Sequence, residues 1–440
     1  MNKIWASGAS DDSLPYLNRL MVDDDIRTDR NMVDYEVLSL VAYHLQIMKQ
    51  DLIPRYESVR ILHALAEIYS TDPDLSADLE DVHGNVEAMV IEKAGVSGKN
   101  LRLFLSRNEQ IQTDILLFTR HHLLNIAWEC AGIAEIILAK RDEIKGVMPG
   151  YTHYRQGMAV SSVTYMDYLA SIFYNRSKKM LDALHGNEIL PLGYGSGFGS
   201  LSGVDFKEVA SLLGLKRGDV NPMYLASQRG MDELNSIFQL SLMMLELSRI
   251  SQDFILMSGD EMPVFILPAG FTTGSSLMAN KRNPDFLEMT QGYAAEIAGK
   301  ISGAIMTVIS KSSGYHRDFQ LVKKELVDSF LLAEDTLAAA GRFFSGIEFN
   351  PKGSRSIVQN SSYATANAHK LFREGKTWKD SYSAVGEMVR NGKTLEEIDP
   401  EEIRSINNDL IHGLKTEIMD LKDSTMQHYL DIIAQARTVQ

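Results

Sequence analysis

The sequence lacks several features that mark particular protein classes. Its single cysteine, Cys130, excludes an internal disulfide and argues against a metal site built from cysteines. The opening residues MNKIWASGASDD contain no apolar core of a signal peptide, so we expect a cytoplasmic protein. The uncharged run at residues 262–280 contains prolines, glycines and hydroxyl groups, so we expect no membrane-spanning helix there and no membrane partner.

Positive charge is also in deficit. The 44 basic residues against 58 acidic ones give a net charge of -14 at pH 7. Such a surface repels a phosphate backbone, so nucleic acid is not an expected partner. A small anionic substrate is compatible with this charge, because a few cations in a cleft can reverse the sign locally.

Long helices account for most of the pattern that is present. Apolar residues recur every three or four positions in two long stretches and at the start of a third. We find no alternating series that predicts a sheet. We therefore predict an all-α fold with a central long-helix bundle and three domains, at residues 1–100, 101–345 and 346–440. The periodic residues are Ile111, Ile115, Phe118, Ile126, Ile133 and Ile137; Ile237, Leu240, Met244, Leu247, Ile250 and Phe254; and Phe286, Met289, Tyr293 and Ile297.

Two polar stretches interrupt the helical pattern in the first half of the long-helix region. LSRNEQIQTD places Arg107, a planar carboxylate receptor, and Asn108 at the head of the first long helix. In MPGYTHYRQG, a Pro-Gly pair is expected to end one helix before Thr152 and His153 begin the next. Taken alone, each stretch is read more simply as solvated surface, and His153 gains a chemical role only if a carboxylate orients it.

A third polar stretch, TTGSSLMANKRNPD, spans residues 272–285. Ser275 and its neighbours could present backbone N–H groups to an anion, and Lys281 adds a positive charge. Asn283 precedes a proline suited to the first position of the next helix, in which Glu288 follows. The plainer interpretation is a flexible connector between helices.

The glycine-rich segment LGYGSGFGS, at residues 192–200, looks like a phosphate-binding loop. It lacks the Gly-Lys-Ser/Thr ending and follows no predicted strand, so the nucleotide interpretation is weak. A tight loop of small residues near a substrate is at least as good an interpretation.

Together these segments resemble the fumarase/aspartase superfamily, and most closely its argininosuccinate lyase family. The superfamily signature GSSxMPxKxN corresponds to residues 274–283, with Ala279 in place of the proline. MPGYTH, SRNEQIQTD, GYHRDFQLVK and EDVHGNVE are similar to further segments of the family. Their order and spacing fit over nearly the whole chain.

The resemblance implies a homotetramer in which each subunit gives five long helices to a twenty-helix core. Each active site would combine segments of three subunits, and the signature stretch would be a mobile loop that closes over the substrate. The implied reaction is β-elimination of argininosuccinate to arginine and fumarate, as in arginine biosynthesis. It would need no metal and no organic cofactor.

That reaction requires a base, stabilisation of a doubly charged carboxylate and an acid for the leaving nitrogen. By the resemblance, Ser275 is the base and Lys281 stabilises its alkoxide. His153, oriented by Glu288, would be the acid or a proton relay. The residues implied to hold the substrate are Arg107, Asn108, Thr152, Asn283, Tyr315, Gln320 and Lys323, with Asp29 at the guanidinium end.

One segment departs from the family pattern. The family has Thr-Gly-Arg where this chain has Leu103, Phe104 and Leu105, so a substrate-facing cation and a glycine turn are missing. Either Arg102, Arg155 or another cation compensates, or the substrate differs. Three hypotheses stay open: an argininosuccinate lyase, a related lyase that releases fumarate from another N-substituted aspartate, and a non-catalytic relative that keeps only the bundle.

Overall fold

The computed structural model describes residues 14–440 and is mostly helical over that range, which confirms the all-α prediction. The helices, α1 to α16 in chain order, are Leu14–Met21, Asp23–Asp29, Val33–Lys49, Arg55–Ile68, Val82–Ala94, Arg107–Glu143, Ser162–Gly186, Phe206–Leu212, Pro222–Ser227, Met231–Met257, Asp285–Val308, Phe319–Gly346, Pro351–Ile357, Ala364–Arg373, Trp378–Arg390 and Asn408–Thr438. The strands, β1 to β6, are Val147–Thr152, Arg155–Ser161, Phe265–Ile266, Thr273–Gly274, Arg282–Asn283 and Glu348–Phe349.

Five long helices, α6, α7, α10, α11 and α12, form the centre of the molecule. α6 packs along α7 and α12, while α10 packs along α11 and α12. The buried rings of Phe254, Phe343 and Phe344 meet edge to face where α10 and α12 cross. All three predicted long stretches are therefore confirmed as helices of one bundle.

α6 begins with a strong start signal. The Ser106 hydroxyl accepts the Asn108 N–H, and the Glu109 carboxylate accepts the Ser106 N–H at 2.8 Å, which completes a capping box. Among the described residues, α6 is the one helix long and apolar enough to cross a membrane. Of its most apolar window, 56% is buried inside the protein, as in the core helix of a bundle.

The prediction that Thr152 and His153 begin a helix is wrong. α6 ends at Glu143, and the next residues form an antiparallel hairpin of β1 and β2, which the helix α7 follows. His153 and Tyr154 make the two-residue turn, with φ of 53° and 57°. Positive φ at both positions is the geometry of a type I′ turn, which usually carries Asn-Gly. Because this turn carries His-Tyr, the sequence offered no hairpin signal.

The signature stretch is not helical, as predicted. β4 and β5 pair Thr273 with Asn283, so residues 275–281 form a loop closed at its base by a two-stranded ladder. Pro284 occupies the cap position and α11 starts one residue later than expected.

The C-terminal part contains three short helices, α13, α14 and α15. The last helix, α16, returns to pack along α3, α4 and α6. The His63 ring lies 3.0 Å from the Val439 carbonyl oxygen, which ties the end of the chain to the first third. The three-domain division stays a prediction.

Candidate active site

A set of charged side chains joins the heads of α5, α6 and α12 to α2; we call it the charged cluster. Arg107 donates to the Glu80 and Asp81 carboxylates at 2.8 and 3.0 Å. Arg317 donates to the second oxygen of Glu80 at 2.9 Å. The predicted substrate residue Arg107 is therefore neutralised by two carboxylates of its own chain. The cluster consists of Asp25, Asp29, Glu80, Asp81, Arg107, Arg317 and Lys323.

Two predicted site residues, Asp29 and Lys323, are ion-pair partners inside the charged cluster. Lys323 is fully buried and contacts Asp29 as well as Asp25, at 2.5 Å from the latter. Burial opposes the charge of Lys323, but the two carboxylates outweigh this and raise its pKa. Burial raises the pKa of Asp25 to about 6. Asp29 also accepts the Val82 N–H at 2.9 Å, which connects α2 to the head of α5.

Tyr315 and Gln320 lie beside this cluster. Burial raises the pKa of the Tyr315 hydroxyl, while the positive charges of Arg229 and Lys323 oppose that shift, so these groups are close in space. The Gln320 side-chain oxygen is buried and has no hydrogen-bond partner among the described residues. The structure thus brings together one set of predicted substrate residues, namely Asp29, Arg107, Asn108, Tyr315, Gln320 and Lys323.

The predicted acid lies elsewhere, at the tip of the hairpin. Thr152, His153 and Tyr154 are exposed, and Tyr154 retains 84% of its surface. The His153 ring has no hydrogen bond or ion pair among residues 14–440. Arg155 is exposed at the same tip and donates only to the Tyr154 carbonyl, at 3.1 Å. The hairpin tip therefore exposes an imidazole and a guanidinium at the surface of the chain.

The predicted base lies in a third place, the loop between β4 and β5. The Ser275 Oγ accepts the N–H groups of Leu277 and Met278, at 3.3 and 3.0 Å. Lys281 is exposed in the same loop, and Glu288 is exposed in the first turn of α11. Two N–H dipoles directed at one hydroxyl oxygen favour its negatively charged form.

These three groups are not joined within one chain. Across the described part of the chain, no hydrogen bond or ion pair connects the hairpin tip to Ser275, to Glu288 or to the charged cluster. The expected contact between His153 and Glu288 is accordingly not made within the described chain.

The glycine-rich loop at residues 192–200 is filled by a carboxylate of the protein. Gly193 and Gly195 donate their N–H groups to Glu109 Oε2, at 2.7 and 2.9 Å. The hydroxyls of Ser196 and Ser106 lie 2.6 Å apart, which fixes the loop to the head of α6. The donors that a phosphate would need are therefore already used, which agrees with the weak nucleotide interpretation.

One buried triad has the residue types of a metal site. His83 Nδ1 lies 3.1 Å from Glu36 and 3.8 Å from Asp114, and the three ligand atoms lie within 4.8 Å of one another. Burial opposes charge on His83, yet the Glu36 carboxylate outweighs it and raises the pKa of the imidazole. Burial also raises the pKa of Asp114 well above its ordinary value. Both shifts favour the protonated forms of His83 and Asp114, which lessens the repulsion between the two buried carboxyl groups.

The segment that departs from the family pattern keeps the shape of a glycine turn. Phe104 has φ of 63°, a left-handed conformation, and its side chain is exposed. Leu103 and Leu105 pack against the main core. Arg102 is held by the Gln110 side chain at 3.2 Å and lies 3.5 Å from Glu87. It is therefore already paired within the fold and is a poor replacement for the missing cation.

Sequence reasoning missed several members of this site. Asp25, Glu80 and Arg317 were not singled out, although Glu80 stands in the EDVHGNVE segment and Arg317 in GYHRDFQLVK. Arg229 was missed as well, because a lone arginine before a long helix carries no spacing pattern. The charged residues inside these two family-like segments would have been the usable signal for Glu80 and Arg317.

Comparisons with known proteins identify the family and the fold of this chain. The model of the lyase family matches residues 17–299. The argininosuccinate lyase of Geotalea daltonii is 28% identical over 94% of this chain and 93% of its own length, and that of Xanthomonas axonopodis pv. citri is 30% identical over 86% and 90%. Among solved structures, class II fumarase from Schistosoma mansoni aligns with a TM-score of 0.75 at 15% identity, over 95% of this chain and 94% of its own. An EDDS lyase in complex with formate aligns with a TM-score of 0.71 at 18% identity, over 96% and 93%.

Proposed function

Because the chain belongs to the lyase family, we propose that it cleaves argininosuccinate to arginine and fumarate by β-elimination of the C–N bond. It would serve arginine biosynthesis in the cytoplasm. Relatives named argininosuccinate lyase match nearly the full chain, which supports this substrate. The single structural observation that carries the proposal is that the Ser275 hydroxyl oxygen accepts two backbone N–H groups.

Ser275 is suited to remove the proton beside the substrate carboxylate. A serine hydroxyl is a poor base unless its alkoxide is stabilised. Here Oγ already accepts the Leu277 and Met278 N–H groups, and Lys281 stands in the same loop. Closure of the loop over a substrate would exclude water and strengthen these interactions, so Ser275 would act as the base only in the closed state.

The acid and the substrate-holding residues would come from other copies of the chain. His153 at the exposed hairpin tip, oriented by Glu288 of a neighbour, would protonate or relay a proton to the leaving nitrogen. The charged cluster, which includes Arg107, would hold the substrate ends together with Asn108 and Tyr315. Since these groups are unconnected in one subunit, we propose a homotetramer with shared active sites.

Thr152 and Asn283 flank the hairpin turn and the signature loop. Thr152 precedes the hairpin turn, and Asn283 closes the base of the signature loop by pairing with Thr273. Both would contact a substrate that bridges the hairpin of one copy of the chain and the loop of another. We propose that they orient its carboxylates.

The test is fumarate release followed by ultraviolet absorbance. Ser275→Ala should lower kcat by about 10²–10⁴-fold, the range of a lost general base, while the assembly stays intact by size-exclusion chromatography. Ser345→Ala removes an exposed hydroxyl that donates only to the Arg342 carbonyl, and it should retain full activity. Near-normal turnover by Ser275→Ala would remove Ser275 as the base.

Site sharing has a separate test. Ser275→Ala and His153→Asn subunits, each inactive alone, would be unfolded together and reassembled. If the two residues act from different subunits, about a quarter of the sites in an equal mixture receive both intact residues and regain activity. No recovery, with mixed tetramers verified by mass spectrometry, would place both residues in the same subunit.

A related lyase acting on another N-substituted aspartate is the second candidate. The observation that favours it is the uncharged Leu103–Leu105 segment, which offers no cation to the substrate. Turnover of other aspartate adducts but not of argininosuccinate would select it.

A further inference from the structure

Arg229 is a buried cation with unused hydrogen-bonding capacity. Its side chain, just before α10, is 2% exposed. Its Nε lies 3.0 Å from Glu233 Oε1, but not in a hydrogen-bonding orientation. Nη1 and Nη2 have no acceptor within the part of the chain that the structure describes. A buried, incompletely bonded guanidinium is costly, so this one is a candidate for a bound anion.

The surroundings of Arg229 belong to the site. Its positive charge opposes the rise that burial causes in the pKa of Tyr194 and of Tyr315, so both hydroxyls lie within its electrostatic range. The adjacent Gly230 abuts Phe319, at the start of the helix that carries Gln320. Arg229 therefore lies between the glycine-rich loop and the predicted substrate residues of α12.

The other cations in this part of the site are already neutralised. Arg107 and Arg317 share Glu80, and Arg107 also holds Asp81. Lys323 contacts two aspartates, and Arg102 has Glu87 and Gln110. Among the described residues near the charged cluster, Arg229 is the arginine whose Nη1 and Nη2 both lack a hydrogen-bond acceptor.

We propose that Arg229 binds a carboxylate of the fumarate-forming half of the substrate, in place of the cation that the Leu103–Leu105 segment lacks. Nη1 and Nη2 would donate in parallel to the two carboxylate oxygens, while Glu233 stays beside Nε. This role rests on the proposed lyase function, since it requires a dicarboxylate substrate. Burial would strengthen the pair, because little water competes for either charge.

The role predicts a selective loss of affinity. Fumarate and arginine would be titrated separately into the wild-type assembly and into Arg229→Gln by calorimetry. Arg229→Gln should bind fumarate about ten- to a hundredfold more weakly, the loss expected for charge-assisted hydrogen bonds, with arginine affinity unchanged. Arg229→Lys should recover part of the affinity, because it keeps the charge without the fork.

Two controls separate binding from folding. Arg390→Gln removes one positive charge from exposed α15 and should leave both affinities unchanged. The double variant Arg229→Gln, Glu233→Gln removes both charges of the pair, so it avoids an unpaired buried carboxylate and should show the same selective loss as the single variant.

Several outcomes would overturn the proposal: unchanged fumarate affinity in Arg229→Gln, an equal loss for fumarate and arginine, or no fumarate binding by the wild type. The proposed function can fail independently. If the wild type does not cleave argininosuccinate but its fumarate affinity still depends on Arg229, the carboxylate site stands and only the substrate assignment is wrong.

Discussion

Phe104 gives the sharpest test of the backbone description. Its φ of 63° is left-handed, a conformation that costs a non-glycine residue about 1–2 kcal/mol. Glycine avoids that cost but loses about 0.5–1 kcal/mol more backbone entropy on folding than alanine does. The difference should make Phe104→Gly more stable than Phe104→Ala by roughly 1 kcal/mol. The lost phenyl contacts cancel in this comparison, because both variants remove the ring.

A matched pair reverses the order. Tyr382 lies in the middle of the peripheral helix α15 and is 68% exposed, compared with 55% for Phe104. At an exposed helical position with ordinary φ, alanine is better than glycine by about 1 kcal/mol. Tyr382→Ala should therefore be more stable than Tyr382→Gly.

Urea unfolding followed by circular dichroism, at fixed protein concentration, would measure all four variants. The expected result is that the glycine variant has the higher unfolding free energy at residue 104 and the alanine variant has it at residue 382. If Phe104→Ala equals or exceeds Phe104→Gly in unfolding free energy, the left-handed backbone at residue 104 is wrong. The segment would then not keep the shape of a glycine turn.

Two further predictions concern Gly84 and Asp25. A Cβ on Gly84 would lie 2.1 Å from the Leu79 carbonyl oxygen, so Gly84→Ala should lower the unfolding midpoint. Gly413 has open space around it, so Gly413→Ala should raise the free energy of unfolding by about 0.5–1 kcal/mol. Equal effects of the two substitutions would refute the close approach at Gly84. Burial raises the pKa of Asp25 from 3.8 to about 6. Between these two values the unfolded chain loses the proton of Asp25 while the folded protein keeps it. The free energy of unfolding therefore falls as pH rises from about 4 to about 6. Asp25→Asn should thus gain unfolding free energy relative to the wild type between about pH 4 and 6 and level off above, and a difference independent of pH would contradict the buried carboxyl.

The sequence predicted the helical bundle well because its signal is periodic and local. Ile111 to Ile137 and Ile237 to Phe254 repeat at helical spacing over many turns, and each series became one face of a buried helix. The hairpin around His153 was not predictable in the same way. Its turn has positive φ at a histidine and a tyrosine, so neighbouring packing, rather than turn chemistry, selects it.

The sequence predicted many residues of the site, but it did not predict which of them form ion pairs with one another. Arg107 and Lys323 were named from the resemblance, yet their carboxylate partners come from segments 27 and 294 residues away. Arg229 escaped notice because unsatisfied hydrogen-bonding capacity is a property of three-dimensional surroundings. No sequence spacing encodes the absence of a neighbour.

The length of the hairpin sets the distance between the His153 imidazole and the head of α7. From Ser161 back to Arg155 it runs six residue steps, so it carries the imidazole roughly 20 Å from the head of α7. The strand pairing shifts by one residue between Gly150 and Tyr151, and a further residue inserted into β2 would reverse the face that each side chain between the insertion and the turn occupies. Insertions should therefore be tolerated in many surface loops of this enzyme, but an insertion in the β1–β2 hairpin should abolish turnover.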